Sequence, residues 1–343
     1  MRAVQLFVHG GPEVLRVAEV PEPVPGPGDV LVEVACTGVT WADVQARQGR
    51  LAVGLPHVPG YAVSGRVVTV GAAVTGVRPG DRVAALTLAG GAAAELVVAP
   101  GSAVVVLDGE LDRLSDAVAA AVPHGVTTAW GLLEAARVGP GETVLVLAAA
   151  GGVGSAAVQL AVAQGATAVA AVGHDAARAS AGSWGARHVV SYDGIAGLDA
   201  LLDGQRVDVV LDPVGGAVGR AAASTLGFGG RRVVYGDGVA GDDVVVTSQV
   251  RETGTSLVGY SLRALAAAAP ERLREHLTGA LHAVADGTVG LDVTEHPLAE
   301  VAAAHVALEA PAATGTQVLR VVDGRRGPLT PSDGAPGPRP ADW

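Results

Sequence analysis

Cysteine is almost missing from this chain of 343 residues: Cys36 stands alone. One thiol excludes an internal disulfide and any multi-thiolate zinc centre. Within the apolar, strand-like run VLVEVAC, Cys36 reads as a small buried residue. Aromatics are scarce too, at 3 %, so the 49 % apolar fraction rests on Ala, Val and Leu and implies tight packing of small side chains. Positive charge is thin, since 23 basic residues against 34 acidic ones leave a net charge of −11. No basic run exceeds the pairs Arg231-Arg232 and Arg325-Arg326, so neither nucleic acid nor an anionic membrane is an expected partner. Every apolar run meets Gly, Asp or Arg before it could span a bilayer, and MRAVQLFVHGG has no signal-like apolar core. The expectation is a soluble, cytoplasmic protein.

The length favours two domains. Its first third reads as short strands parted by Gly/Pro turns: RAVQLF, VLRVAEV, PEPVPGPGD, DVLVEVACTGV, SGRVVTVG, DRVAAL and AELVVAP. That spacing predicts an antiparallel, barrel-like unit. From residue 143 the runs TVLVLAA, ATAVAAVG, RHVVSYD, RVDVVLD, RRVVYGD and TSLVGYS alternate with helical segments, which predicts crossovers and a parallel sheet. Residues 262–286 form a helix pair whose second member starts at Pro270. A further helix in GLDVTEHPLAEVAAAHVALEA and the strand TGTQVLRVV follow, and the strand returns to the first unit. Residues 324–343, rich in Pro, Gly and charge, read as a flexible tail.

The chemistry concentrates at TVLVLAAAGGVGSAAVQLAV. Ala148, Gly151 and Gly154 make A-x-x-G-x-x-G immediately after a strand and at a helix start. There the backbone can approach a pyrophosphate and helix N–H groups point at it. In such a fold an acid at the end of the second strand binds the ribose of NAD. Here that strand ends at Val172-Gly173 without a carboxylate, although Asp175 follows, and Arg178 can supply charge to a 2′-phosphate. NADPH is therefore the expected cofactor.

Together with GPGDVLVEVACTGVTWADVQARQG, PHVPGYAVSGRVVTVG, GVRPGDRVAAL, GVTTAWGLL, WGARHVVSYD and DVVLDPVGG, in that order, this turn resembles the zinc-free quinone oxidoreductase branch of the medium-chain dehydrogenase/reductase superfamily. The resemblance covers residues 1–322. It implies an α/β protein with a GroES-like catalytic domain (residues 1–123 and 287–323), a Rossmann NADPH-binding domain (124–286) and an active site in the cleft between them. It places Ala150, Gly151, Gly152, Val153 and Gly154 at the pyrophosphate and Gly173, Arg178 and Tyr192 around the adenosine phosphate. Thr128 of PHGVTTA faces the nicotinamide, and Tyr235, Gly236 and Tyr260 line the remaining path. Ala177 stands where the family often has lysine.

Zinc relatives in the superfamily hold the metal with cysteine and histidine, where this chain has Thr40 and, for a following His-Glu, Tyr61-Ala62. No metal is expected. Without a Lewis acid, hydride addition to a quinone or enone, which yields a resonance-stabilised enolate, is the coherent chemistry. Departures from the family at Thr40 (often Asn), Ala62 (often an acid) and Thr316 (often Lys) imply an altered pocket in which Thr40 still donates a hydrogen bond. Trp41 is read as a pocket wall and His124 as a candidate proton donor. His57 and Tyr61 flank the same cleft, and Asp43 with Arg47 read as a structural pair. An NADPH-dependent quinone or enone reductase is thus expected, as a homodimer joined through TSLVGYSL. The alternatives are an enoyl reductase or redox-silent cyclase acting on a polyketide-like intermediate, and a non-catalytic nucleotide-binding protein.

Overall fold

The computed structural model describes residues 1–236, 245, 247–310 and 313–321. The tail expected at 324–343 lies outside the described residues. Strands β1 (Arg2–Leu6), β2 (Leu15–Glu19), β3 (Asp29–Val39), β4 (Ala62–Val70), β5 (Arg82–Leu86), β6 (Leu96–Pro100) and β7 (Val104–Val106) build the first part. Strands β8 (Thr143–Leu147), β9 (Thr167–Val172), β10 (His188–Ser191), β11 (Val207–Asp212), β12 (Leu226–Tyr235) and β13 (Ser256–Tyr260) follow, and β14 (Val293–Pro297) and β15 (Thr316–Arg320) come last. The helices are α1 (Trp41–Gln48), α2 (Asp116–Ala136), α3 (Gly152–Ala163), α4 (Arg178–Ser183), α5 (Leu198–Leu201), α6 (Gly216–Ser224), α7 (Thr247–Thr253), α8 (Leu262–Ala268), α9 (Pro270–Ala285) and α10 (Val301–Glu309).

The alternation of apolar runs and helices produces the expected parallel sheet, in the order β10-β9-β8-β11-β12-β13. The chain moves outward from β8 in one direction and then in the other. Such a reversal leaves a crevice at the carboxyl ends of the strands, where ligands bind in open α/β sheets. All five residues of β8 are buried, as a strand covered on both faces requires.

A second sheet, β14-β15-β3-β4-β5-β7 with β6 also on β3, forms the β-rich part. The late strand β15 returns to it as expected, antiparallel to β3 with Gln317 opposite Val39. Two readings need correction. PEPVPGPGD is not a strand: Pro21, Pro23, Pro25 and Pro27 carry no N–H for a ladder, and the segment is irregular. The segment before α10 is partly strand, because β14 pairs parallel with β15.

Helix α2 belongs to both parts. Ser115 caps its start by accepting from Val118 N at 3.3 Å. Its early turns pack on β3, β4 and β15, and it also packs on α3 and α9. The boundary expected between residues 123 and 124 thus falls inside one helix, with Pro123 in its interior. Close packing explains this: a Cβ on Gly38 of β3 would come 2.9 Å from Ala120 O, and one on Gly125 would come 3.3 Å from Gly152 O.

Candidate functional site at the glycine turn and the facing wall

The turn after β8 is built almost wholly from backbone. Ala148 takes a left-handed φ of 51°, and Gly151, extended at φ −79° and ψ 169°, is the N-cap of α3 without any side-chain cap. The first N–H groups of α3 are therefore left without a capping side chain and present the positive end of a helix of 12 residues. Gly154 must be glycine, since a Cβ there would lie 2.7 Å from Ala149 Cα and closer still to Ala148 O. A dinucleotide pyrophosphate fits this cradle.

Two elements clamp the turn. From α2, Gly125 approaches the Gly152 carbonyl; from the other side, Gly315 bridges Gly151, and its N–H donates to Ala150 O at 3.3 Å. Thr316 Oγ1 would sit 3.0 Å from a Cβ on Gly152. Residue spacing alone gave no sign of this clamp at Gly125 and Gly315. Val153 is half-buried at the start of α3.

At the end of β9, Gly173 leaves room for the Tyr192 ring, whose Cε2 would be 3.2 Å from a Cβ there. Burial raises the Tyr192 phenol's pKa, so it stays protonated. Arg178 opens α4 and donates from Nη2 to Val189 O at 2.7 Å, while Nη1 stands 3.8 Å from Asp175. The chain contains no lysine at all, so arginine alone can supply a fixed positive charge here. Tyr235 is buried at the end of β12 and Gly236 follows with φ +64°. Tyr260 stands opposite Tyr235 in register, but its ring packs on α2, where a Cβ on Gly131 would come 2.7 Å from Cε2.

A buried ion pair that carried no role in the sequence reading supports this end of the sheet. Asp212, at the end of β11, receives Arg232 Nη2 at 2.6 Å and Nε at 2.8 Å. Its other oxygen accepts from Val214 N and Gly215 N, both at 2.8 Å, and so holds the DPVGG loop. Gly219 is bare where any side chain would strike both partners. An acid at a strand end followed by Pro-Val-Gly-Gly was the available signal.

The residues expected to form the opposite wall, at the start of α1 and just before β4, work through side chains. Thr40 is the N-cap of α1, and both its backbone N (2.7 Å) and its Oγ1 (2.8 Å) donate to Asp43 Oδ2. This corrects the expectation that Thr40 is a free donor: its proton is engaged with Asp43, and only acceptor capacity is left. Asp43 also accepts from Gly60 N at 2.6 Å. Burial pushes its carboxyl up to about 6 against those donors. The expected Asp43–Arg47 pair does not form. Arg47 is buried against Glu309 of α10 and donates to Gly10 O at 2.8 Å.

Trp41 is 37 % exposed, free to serve as a wall. On α2, burial pushes the His124 imidazole down to about 4, so the ring is neutral at pH 7 and a poor acid. One turn on, Thr128 Oγ1 donates to His124 O at 2.6 Å, which leaves it only acceptor capacity. His57 is tied to Leu6 through both backbone groups and its ring packs on Gly90, with burial lowering its pKa.

Residues 26–109 match the alcohol dehydrogenase GroES-like domain and residues 152–280 the zinc-binding dehydrogenase family. The chain is 31 % identical over 306 residues to a mycocerosic acid synthase-like polyketide synthase of Mycolicibacterium smegmatis, covering 87 % of this chain but only 14 % of that one. It is 32 % identical over 323 residues to the quinone oxidoreductase of Pseudomonas aeruginosa, covering 93 % of this chain and 99 % of that one. Escherichia coli quinone oxidoreductase complexed with NADPH superimposes with a TM-score of 0.85 at 28 % identity, over 94 % of this chain and 100 % of that one. With the whole length of a bacterial quinone oxidoreductase matched in this way, the chain belongs to the quinone oxidoreductase branch of the medium-chain dehydrogenase/reductase superfamily.

Proposed function

We propose that this oxidoreductase uses NADPH to reduce a quinone or an activated C=C bond without a metal. The observation that carries the reading is the clamped turn at the start of α3, whose uncapped N–H groups suit a pyrophosphate; a wall of Thr40 and Trp41 facing it is part of the proposal. A bound dihydronicotinamide supplies the hydride. The chain's own residues would orient the reactants and exclude water: Ala150–Gly154 would hold the pyrophosphate, Thr128 would contact the nicotinamide, and Trp41 would wall the acceptor.

Preference for NADPH is supported by the missing carboxylate at Val172-Gly173 and by Arg178 at the start of α4, whose guanidinium reaches Val189 O on the neighbouring strand β10. A related enzyme is known as its NADPH complex. Although the matched family is described as zinc-binding, a zinc does not fit the residues here. Thr40 and Ala62 are not ligands of the required kind, and Cys36 is buried on β3 with its thiol pushed up to about 12, chiefly by burial. Among the described residues no three His, Cys, Asp or Glu side chains converge to hold a metal.

A homodimer through the edge strand β13, in a cytoplasmic setting, completes the reading. None of the helices within the described residues is long and apolar enough to cross a membrane. The likeness to a polyketide synthase supports a second reading, enoyl reduction or redox-silent cyclisation of a polyketide-like intermediate. NADPH oxidation against a panel of quinones, enones and enoyl thioesters, with cofactor binding measured separately, tests both. Turnover of quinones or simple enones supports the first reading, turnover confined to enoyl thioesters supports the second, and binding without turnover removes the reductase.

A further inference from the structure

Hydroxyl groups at the mouth of the β-rich part differ in what their protons do. Thr37 Oγ1 donates to Ala62 O at 2.8 Å, Thr40 Oγ1 to Asp43, and Thr87 Oγ1 to Gly60 O at 3.0 Å. The Tyr61 phenol has no hydrogen-bond partner among the described residues, although the residue is only 4 % exposed. A buried O–H without an acceptor costs about 1–3 kcal/mol, and a native structure that keeps one calls for a reason.

The backbone that carries it is held firmly. Gly60 N donates to Asp43 Oδ1 at 2.6 Å, Gly60 O accepts from Thr87, and Tyr61 O accepts from Thr87 N at 3.0 Å. One carboxylate, Asp43, therefore seats both Thr40 and the turn that carries Tyr61. The charges that act on the phenol are Asp43 of α1 and Arg263 of α8. Leu86 is the register partner of Ala62 and packs with Leu262 of α8, so Tyr61 adjoins the place where the segment after β13 meets the β-rich part. Tyr260 is the other tyrosine with an unpartnered hydroxyl among the described residues, but its ring is wedged on Gly131 within the α2 core.

We propose that Tyr61 is the donor that binds the carbonyl oxygen of the acceptor, and so selects substrates whose C=C is conjugated to a carbonyl. This rests on the reductase reading. Burial pushes the phenol up to about 12, so it stays a donor at neutral pH and no bond to its proton breaks. Negative charge that collects on the carbonyl oxygen during reduction is stabilised by a fixed donor more than the neutral ground state is. With the hydroxyl protons of Thr40 and Thr128 engaged, Tyr61 fills the role the threonine was expected to play.

Tyr61→Phe removes one oxygen and keeps the ring. With an enone substrate, kcat is expected to fall about tenfold or more while NADPH affinity stays within about twofold. The thermal midpoint should hold or rise, since an orphan hydroxyl is gone. A second readout needs no turnover: the isotope-edited C=O stretch of carbonyl-labelled 2-cyclohexenone bound with NADP⁺. It should lie below the free value in the wild type and return toward it in Tyr61→Phe. An unchanged stretch and kcat in the variant overturn the assignment even where the wild type reduces enones, as does the absence of any bound-enone band. A Tyr61-dependent stretch in a protein that reduces no quinone or enone upholds the donor and removes the reductase reading instead.

Discussion

The glycine turn and the proposed wall of Thr40, Trp41 and Tyr61 are specified in different ways. At the turn the working atoms are backbone N–H groups, and the residues matter for the side chains they lack: Gly154 against Ala148 and Ala149, Gly125 against Gly152. On the wall the working atoms are side chains whose capacity depends on neighbours distant in sequence. Thr40 spends its hydroxyl proton on a hydrogen bond to Asp43, whereas the Tyr61 hydroxyl has no acceptor among the described residues. A backbone site is thus spoiled by addition and a side-chain site by removal, and substitutions can separate the two.

The largest effect is expected beneath the turn. Arg232→Met leaves the Asp212 carboxylate buried without its guanidinium, which should cost about 3–5 kcal/mol in urea or guanidinium unfolding. A loss below about 1 kcal/mol would show that Asp212 is sustained by its loop N–H groups alone. Gly154→Val comes next: cofactor affinity should fall about 100-fold or more, ~2.7 kcal/mol, by calorimetric titration. Retained affinity would mean that the turn tolerates addition and the contrast fails.

Cofactor choice is expected to be worth about tenfold in favour of NADPH, ~1.4 kcal/mol. Arg178→Ala should bring the two dissociation constants together, and equal affinities in the wild type would remove the role of Arg178. On the wall, Trp41→Ala should change the ranking of substrates by kcat/KM and leave the NADPH dissociation constant within about twofold.

The smallest effect is on pH dependence. His124 is held neutral by burial, with its pKa lowered from the ordinary 6.5 to about 4. The unfolded chain binds the proton first, so this contribution is full above pH 6.5 and is lost as pH falls toward 4. Burial of His305 acts in the same sense. Asp43, raised to about 6, acts in the opposite one, since its contribution is present below about 3.8 and is lost as pH rises through 6. His124→Gln should therefore flatten part of the acid-side loss of stability, and kcat should show no limb near 6.5 that disappears in this variant. Such a limb would restore His124 as the proton donor.

Much of the architecture was legible because it is periodic. The six strands of the parallel sheet, the helix pair opening at Pro270 and the return of TGTQVLRVV follow from local apolar spacing and from turn residues. PEPVPGPGD misled because proline shares the extended conformation of a strand but lacks the ladder donor. Helix α2 was obscured by Pro123 and Gly125, and only the elements stacked around it explain the glycine. Asp43 and Arg47, four apart on one helix, suggested a local pair. The carboxylate turned instead to the helix start and Gly60, and the guanidinium to a helix more than 250 residues away in the chain.

By itself the sequence determined the strand–glycine–helix junction, the alternation of strands and helices that makes a parallel sheet, and the presence of Thr40 and Tyr61 at positions where zinc relatives carry metal ligands. These depend on residue type and short-range spacing, which a linear chain states directly. Only the tertiary structure decided which hydroxyl has its proton to give. A donor is free or engaged according to the acceptors that folding brings within about 3 Å. Asp43 reaches Thr40 across one helical turn and Gly60 in the loop before β4, and Tyr61, seated by the same carboxylate, is left without an acceptor among the described residues.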